Sequence, residues 1–418
     1  MMQFFDDLET RDPAQREADF MAHLPAQIAH AQSNTKAYAE ILKGVNASTI
    51  TSRAALAALP VTRKTELHER QKNSRATGAD VFGGFASLVR GNREMGRIFA
   101  SPGPIYEPEG KVADYWRSGR AVFAAGFRAG DLAHNAFSYH MTPGAYLMES
   151  GAHAVGCTVF PAGTGQTEQQ LQAIAELKPD GYLGTPSFLK ILVEKAQEAG
   201  QTLSIKKGLV SGEAFPPSLR DWFTERGMNI YQCYATADLG LIAYETESRQ
   251  GMVLAEDVIV EIVRPGTGDP VPEGEVGELV VTSLNPVYPL IRFGTGDLSA
   301  VLPGTCPTGR THSRIKGWMG RADQTTKIRG MFVHPGQVAE VVKRFPEVAR
   351  ARLVVSGEMA NDQMVLKVET AQAADAAMKE KIAAAIKEVT KLRGDVELLQ
   401  LGSLPNDGKV IEDARSYQ

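Results

Sequence analysis

The spacing of apolar residues predicts alternating strands and helices in the middle of the chain. Residues 167–177 place Leu171, Ile174 and Leu177 on one helical face, because residues three or four apart share a face. Short apolar runs predict strands, and the amphipathic segments between them predict helices: strands at 181–184, 205–211 and 230–234, helices at 188–196 and 215–226. Strands that alternate with helices at this spacing indicate a parallel sheet.

The two ends of the chain have different patterns. Residues 1–75 are polar with alanine-rich stretches, which predicts helices on the outside of a larger body. Residues 252–302 are β-rich, with turns that contain Gly and Pro and strands predicted at 258–263, 277–283 and 290–293. The C-terminal pattern predicts a compact α+β module, with helices at 335–344 and 374–392 and strands at 350–356, 363–369 and 395–401.

These elements predict an α/β protein with two domains. Residues 1–321 would form a large N-terminal domain of parallel sheets with helices and a β-rich subdomain. Residues 322–418 would form a small, mobile α+β domain. A chain of 418 residues is too long for one ordinary core. A hydrophobic content of 43% and a charged content of 22% are typical of a globular enzyme.

Charge and composition exclude several classes of protein. The net charge of −4 gives no basic footprint for nucleic acid. No run of 18 apolar residues is present to span a membrane, and the N-terminus lacks the basic and apolar regions of a secretion signal. Three cysteines, Cys157, Cys233 and Cys306, fit a reducing cytosol. We therefore expect a cytoplasmic protein without a membrane or nucleic-acid partner, and the sequence leaves a homodimer open.

Two clusters that contain glycines indicate a nucleotide site. Asp297 follows Gly294 and Gly296 near a strand end, and a carboxylate there can accept hydrogen bonds from both hydroxyls of a ribose. The second cluster, residues 320–330, reads as a turn with cationic side chains, where one domain could pivot on another. We expect a nucleotide between a large body and a small lid.

These clusters resemble the ribose-binding and hinge motifs of the adenylate-forming enzymes, within the phenylacetate–CoA ligase branch. Other motifs follow in family order along nearly the whole chain: 181–187, 211–214, 234–238, 256–257, 274–279 and 404–409. One short motif would be a weak signal, whereas many in family order are a strong signal for the fold.

The resemblance implies an AMP-forming acid–CoA ligase that uses ATP, Mg²⁺ and coenzyme A. In that family a carboxylate attacks the α-phosphate of ATP, and the CoA thiol then attacks the acyl-adenylate. By resemblance, Asp297 holds the ribose, Arg321 contacts the ribose–phosphate side and Asp323 is the hinge. Lys327 changes sides as the lid turns. Lys409 neutralises the charge that develops on the α-phosphoryl oxygens.

The same resemblance assigns the remaining candidate residues. The adenine and phosphate side comprises Gly212, Glu213, Ala214, Tyr234 and Ala235, with Thr236 and Asp238 as catalytic residues. Asp238 would also bind Mg²⁺, which favours hard oxygen ligands. The acid side comprises Phe137, Tyr139, His140, Thr185 and Pro186. Its aromatic members favour a flat, aromatic acid such as a phenylacetate, although a histidine among aromatics is more often a core residue than a ligand.

The expected phosphate loop departs from the family pattern. Ser101 and Gly103 remain, but the Thr-Thr-Gly-Lys core is replaced by residues 104–107, Pro-Ile-Tyr-Glu. Proline removes amide donors, and Glu107 brings a negative charge to the expected phosphate position. Two like charges about 4 Å apart cost about 4 kcal/mol at an effective dielectric of 20. An active enzyme must offset this through Mg²⁺, through Arg93 or Arg97, or by turning Glu107 out to solvent.

Two alternatives therefore stay open beside the acid–CoA ligase. One is a non-catalytic protein that binds an adenylate. The other is an adenylating enzyme with a different acyl acceptor.

A zinc site is not expected. The family phrase Cys-Pro-Cys-Gly-Arg has become Cys306-Pro307-Thr308-Gly309-Arg310, and Thr246 replaces another cysteine. One thiolate cannot supply the four N or S ligands of a structural zinc site.

Overall fold

The chain folds into two compact units, Met1–Gly320 and Arg321–Gln418. The structure is a computed structural model that describes residues 3–319, 321–322, 324, 326–333, 335–357, 361–371, 376–405 and 409–415. Within this described part of the chain, no helix combines the length and apolarity needed to cross a bilayer.

The first unit begins with helices, of which the first has 22 residues, then alternates helices with strands and ends in a run of strands. Its helices are α1 Pro13–Asn34, α2 Lys36–Ile41, α3 Arg53–Ala57, α4 Lys64–Ala76, α5 Gly119–Ala124, α6 Gly144–Val155, α7 Thr167–Leu177, α8 Pro186–Glu198 and α9 Pro217–Thr224. Its strands are β1 Thr62–Arg63, β2 Met95–Ser101, β3 Ile105–Gly110, β4 Leu132–Asn135, β5 Thr158–Phe160, β6 Gly181–Gly184, β7 Lys207–Val210, β8 Asn229–Thr236, β9 Gly240–Glu245, β10 Met252–Leu254, β11 Val258–Val263, β12 Gly277–Ser283, β13 Phe293–Ser299, β14 Val301–Leu302 and β15 Arg314–Ile315.

A nine-stranded sheet in the order β14-β15-β10-β9-β8-β7-β6-β4-β5 is the centre of this unit. Strands β5, β4, β6, β7 and β8 pair in parallel, and the pairs from β8 to β9 onward are antiparallel. The predicted α/β class and parallel sheet are confirmed. Because neighbouring parallel strands end at the same edge of a sheet, the segments that follow β4, β6 and β7 meet at one edge.

A second, four-stranded sheet has the order β1-β13-β12-β11. The strands predicted at 258–263 and 277–283 are confirmed as β11 and β12, but the one predicted at 290–293 is wrong. Strand β13 begins only at Phe293, because Arg292 adopts the left-handed conformation with φ of 43°. That conformation interrupts the extended chain before Asp297.

The second unit is an α+β module, as predicted. Its elements are β16 Thr326–Ile328, β17 Met331–Val333, α10 Pro335–Lys343, β18 Val348–Ser356, β19 Gln363–Thr370, α11 Ala376–Thr390, β20 Asp395–Leu399 and β21 Ile411–Asp413. The main sheet has the order β20-β19-β18-β21. Ile382 and Ile386 of α11 are buried with Val355 and Leu366 of the sheet in one core.

The guanidinium of Arg292 is a buried hub of the first unit. Its Nε and one terminal nitrogen donate to the two carboxylate oxygens of Glu261 on β11, at 3.0 and 3.1 Å. It also donates to the carbonyls of Ala57, Leu59 and Gly268. These five bonds join the α3–β1 connection to β11 and to the residue that precedes β13.

We expect Arg292→Met to lower the free energy of unfolding of the first unit by roughly 3–5 kcal/mol, because it leaves the Glu261 carboxylate buried without its partner. Urea titration of the full chain, followed by tryptophan fluorescence, measures this change. All three tryptophans, Trp116, Trp222 and Trp318, lie in the first unit.

Two controls accompany this measurement. Arg264→Met removes a side chain that is 63% exposed and lies 3.7 Å from Glu275, so it should cost at most about 1 kcal/mol. Adding Glu261→Leu to Arg292→Met should restore much of the lost stability, since the unpaired charge is gone. Equal losses for Arg292→Met and Arg264→Met would contradict the proposed hub.

Candidate nucleotide and acid site

Asp297 on β13 is an oriented, buried carboxylate. It is 8% exposed. Its Oδ2 accepts a hydrogen bond from the Tyr234 hydroxyl at 2.7 Å, and its Oδ1 accepts one from the Trp318 indole N–H at 3.1 Å. These two donors orient the carboxylate, whose oxygens are acceptors of the kind that the hydroxyls of a cis-diol require.

Trp318 is a site residue that the sequence reasoning missed. Its segment runs beside β13 and is fixed there by backbone contacts: Lys316 N–H to Ala300 O at 2.9 Å, Ser299 hydroxyl to Gly317 O at 2.7 Å, and Met319 N–H to Leu298 O at 2.9 Å. A tryptophan two residues before the cluster at 320–330 was the available signal.

Three predicted residues meet at the edge of the parallel sheet. A Cβ added at Gly212 would lie 3.8 Å from the Phe137 ring and 3.9 Å from the Thr185 methyl group. Gly212 has a φ of 81°, which favours glycine. Thr185 caps α8 by accepting from the Phe188 N–H, and Pro186 follows at the first helical position. Next to this group, Glu213 is exposed and Ala214 is half-buried.

Tyr139 belongs to an aromatic wall beside this edge. Its hydroxyl donates to Glu149 at 2.7 Å and accepts from the Asn135 amide at 2.9 Å. Its ring meets that of Tyr146 edge-on at 5.3 Å, and the Tyr146 ring contacts Phe99 at 5.2 Å. Burial and the Glu149 carboxylate raise the pKa of Tyr139. The hydroxyl is therefore a hydrogen-bonding group and not an acid at neutral pH.

His140 directly follows Tyr139 in the chain. The residue is exposed, and its backbone N–H donates to the Ser138 hydroxyl at 3.1 Å.

The segment expected to be a phosphate loop is the tight hairpin of β2 and β3. Ser101 pairs with Ile105 across its turn, and the Gly103 carbonyl lies 3.1 Å from His68 Nε2 of α4. Glu107 is 0% exposed and accepts from the Ser101 hydroxyl. The proposed outward turn of Glu107 is therefore wrong. Burial raises the pKa of Glu107 to about 8, and the charge of Asp238 adds to the shift.

The upstream arginine of this hairpin already has its own partners. Arg97 forms an ion pair with Glu109 at 2.7 Å and stacks over the Tyr146 ring at 4.5 Å.

Asp238 lies in the turn between β8 and β9. Its side chain is 1% exposed, and its Oδ2 pairs with the Lys64 ammonium at 2.7 Å. Thr236, the last residue of β8, accepts from the Leu239 N–H at 3.1 Å, and Ala235 is half-buried. Lys64 begins α4 and is a second residue that the sequence reasoning missed, because 174 positions separate it from Asp238.

The remaining predicted residues lie in the second unit. Arg321 is half-buried and Lys409 is exposed. Lys327 lies on β16 opposite Phe332, and its carbonyl accepts from Arg415 at 2.9 Å. The predicted hinge, Asp323, lies outside the described residues. The role of each of these residues stays a prediction.

The residues that replace the family's zinc ligands lie together. The Cys306 thiol is 3.1 Å from the Thr308 hydroxyl, 3.5 Å from that of Thr246 and 3.8 Å from that of Ser248. Burial alone would raise the pKa of Cys306, but the hydrogen bonds of Thr308 and Thr246 lower it, and the net shift is downward. Hydroxyls are not the N or S ligands of structural zinc. The expected lack of zinc stays a prediction.

The part of the chain that the structure describes contains no group of three or more His, Cys, Asp or Glu residues placed to hold a metal ion.

Comparison with known proteins shows a family match over both units. The model of the AMP-binding enzymes matches residues 121–286, and that of the AMP-binding enzyme C-terminal domain matches residues 330–413. The phenylacetate-coenzyme A ligase of Thermus thermophilus is 34% identical over 333 residues, which cover 75% of this chain and 72% of that protein. The Escherichia coli enzyme of the same name is 28% identical over 432 aligned residues, which cover 97% and 95%.

Solved structures agree with this match. A 2-hydroxyisobutyryl-CoA ligase in complex with 2-HIB-AMP and CoA has a TM-score of 0.80 at 26% identity, covering 98% of this chain and 92% of that one. The chain therefore belongs to the phenylacetate-coenzyme A ligase family of AMP-binding enzymes, and it is an AMP-forming acid–CoA ligase.

Proposed function

We propose that this ligase activates an aromatic carboxylic acid through an acyl-adenylate and transfers the acyl group to the thiol of coenzyme A. The observation that carries the nucleotide half of this proposal is the Asp297 carboxylate, held at both oxygens by Tyr234 and Trp318. Because this carboxylate is already fixed, little conformational entropy is lost when it binds the ribose hydroxyls.

The acid binds, on this proposal, beside the edge of the parallel sheet. Two glycines lie along one edge of the Phe137 ring: a Cβ added at Gly144 would be 3.6 Å from its Cδ1, and one added at Gly212 would be 3.8 Å from its Cε1. An aromatic ring can stack on a flat partner, and such stacking contributes binding energy. The Tyr139 hydroxyl and Glu149 add a polar end to the wall. This combination supports a flat acid more than a branched aliphatic one.

The cation of the ATP complex is Mg²⁺ in this proposal. The surroundings of Asp238 are suited to Mg²⁺. In the described structure its Oδ1 is buried without a hydrogen-bond partner, and its other oxygen pairs with Lys64. When bound, Mg²⁺ would neutralise phosphate charge. The chain's own part in adenylation is to hold the ribose through Asp297 and to bring the Lys409 ammonium to the α-phosphoryl group, where negative charge develops.

A non-catalytic adenylate binder is the rival, since Glu107 stands where the family's phosphate loop has a lysine. Full-length protein is incubated with ATP, Mg²⁺ and CoA and with phenylacetate, benzoate, 2-hydroxyisobutyrate or hexanoate. We expect pyrophosphate release and thioester formation to be faster with the aromatic acids than with the aliphatic ones. A preference for an aliphatic acid would overturn the aromatic assignment. Pyrophosphate release without thioester would favour a different acyl acceptor, and no release with any acid would favour the binder.

We predict that Asp297→Ala weakens AMP binding by roughly 1.5–3 kcal/mol, the usual loss for a hydrogen bond to a charged group. Isothermal titration calorimetry with AMP measures the change. Asp221→Ala on the exposed face of α9 removes the same charge away from the site and should leave the affinity unaltered. Asp297→Ala binding AMP as tightly as wild type would argue against the ribose assignment.

We predict that Lys409→Ala abolishes adenylation but spares thioester formation from a preformed acyl-adenylate, because the ammonium stabilises charge only while the α-phosphoryl bond changes. The two half-reactions are assayed separately, by pyrophosphate release and by CoA-thioester formation. Lys379→Ala on α11 removes another exposed lysine and should change neither rate. Equal loss of both half-reactions in Lys409→Ala would refute the assigned role.

A further inference from the structure

Three buried oxygen atoms of the first unit have no hydrogen-bond partner in the described structure. They are Glu107 Oε2, Asp238 Oδ1 and Tyr288 Oη. Their residues are 0%, 4% and 3% exposed. Buried polar atoms are nearly always paired, so an unpaired one indicates strain, a ligand or a functional role. The two carboxylates in this state point to a partner with positive charge.

The three groups share one neighbourhood. Burial raises the pKa of Tyr288, and the charges of Asp238 and Glu107 raise it further. Helix α4 joins the elements that carry the carboxylates. Its first residue, Lys64, pairs with Asp238 at 2.7 Å. Further along α4, the Gln71 side chain exchanges two 2.8 Å hydrogen bonds with the backbone of Tyr106, next to Glu107.

Other contacts fix the strand of Glu107 against the turn of Asp238. The Tyr115 hydroxyl donates to the carbonyl of Pro108 at 3.1 Å, and the Trp116 indole donates to Glu109 at 2.9 Å. The carbonyl of Trp116 in turn accepts from the N–H of Leu241 on β9, at 3.2 Å. Residues 115 and 116 thus hold β3 on one side and β9 on the other.

The local charge is unbalanced if both acids ionise. Lys64, whose side chain is 40% exposed, pairs with Asp238, and the charges of Asp238 and Lys64 act on Glu107 with opposite sign. Isolated buried charge is costly, so a second positive charge would stabilise the pair. Mg²⁺ and similar hard cations bind through one or two carboxylates and take their other ligands from phosphates and water. Two carboxylates are therefore enough for such a site, although they form no group of three metal-binding residues.

We propose that Glu107 and Asp238 together form a two-carboxylate site for a divalent cation. On this proposal Glu107 has a function in a chain whose hairpin lacks a lysine. It holds the cation, and the cation supplies the positive charge that the lysine would have supplied. The use of this cation in ATP chemistry rests on the proposed function, whereas its binding to the nucleotide-free protein does not.

The test is Mn²⁺ binding to the full-length, nucleotide-free protein, measured by the loss of the free Mn²⁺ signal in electron paramagnetic resonance. Wild type should bind one Mn²⁺, and Mg²⁺ should compete for it. Glu107→Gln and Asp238→Asn should each weaken binding at least about tenfold, the lower end of what even outer-shell substitutions cost. Glu107→Asp keeps the charge and should retain more affinity than Glu107→Gln.

Glu109→Gln is the matched control. Glu109 lies on the same strand and is buried, but its two oxygens already accept from Trp116 at 2.9 Å and from Arg97 at 2.7 Å. Its removal should leave Mn²⁺ affinity within about twofold, far below the tenfold expected of a ligand. Tryptophan fluorescence and circular dichroism establish that each variant is folded. If Glu107→Gln does not fold, the cation site is tested by the number of Mn²⁺ ions that wild type binds and by the Mn²⁺ affinities of Asp238→Asn and Glu107→Asp.

Two results would overturn the cation site. One is a wild-type protein that binds no Mn²⁺, in which case a proton shared between the two acids satisfies the pair. The other is folded Glu107→Gln protein with wild-type affinity. Thioester formation is measured in parallel. If Mn²⁺ binds but no acid gives a thioester, the proposed function is contradicted and the cation site stands. If a thioester forms but Glu107→Gln does not change the Mn²⁺ affinity, the cation site is contradicted and the proposed function stands.

Discussion

The buried ion pair between Arg292 and Glu261 is the interaction on which the nucleotide edge depends. Arg292 adopts a left-handed backbone conformation immediately before β13, which turns its side chain inward to Glu261 and three carbonyls. Such a pair costs desolvation energy and stabilises only when every donor is used. The main effect of the pair here is geometric, because fixing Arg292 sets where β13 starts and therefore where Asp297 lies.

Around that fixed strand, the site is built from contacts between distant parts of the chain. Tyr234 and Trp318 reach Asp297 from β8 and from the segment that follows β15. Lys64 reaches Asp238 from the start of α4. Each contact joins a carboxylate to a donor on another element. Because the donors sit on rigid strands and helix ends, the carboxylates keep one orientation without a ligand, which lowers the entropic cost of binding.

The sequence predicted the fold class and the family, because apolar periodicity is local and the motifs are contiguous. It could not predict the burial of Glu107, which depends on contacts of the hairpin with distant segments such as α4. It placed a strand at 290–293 because alternation alone cannot reveal a φ of 43° at Arg292. Phe137, Thr185 and Gly212 follow successive parallel strands, and their proximity could be inferred once the sheet was predicted.

The changed residues of the site are understood best as one set. A hairpin without a lysine would leave phosphates with less positive charge, and an exposed Glu107 would add repulsion. The structure removes the second problem by burying Glu107, with the Ser101 hydroxyl on one of its oxygens. Burial next to Asp238 then creates a demand for positive charge inside the protein, of which Lys64 supplies a part. The charges of Glu107 and Asp238 are therefore coupled in this chain, and a substitution at either acid changes the environment of the other.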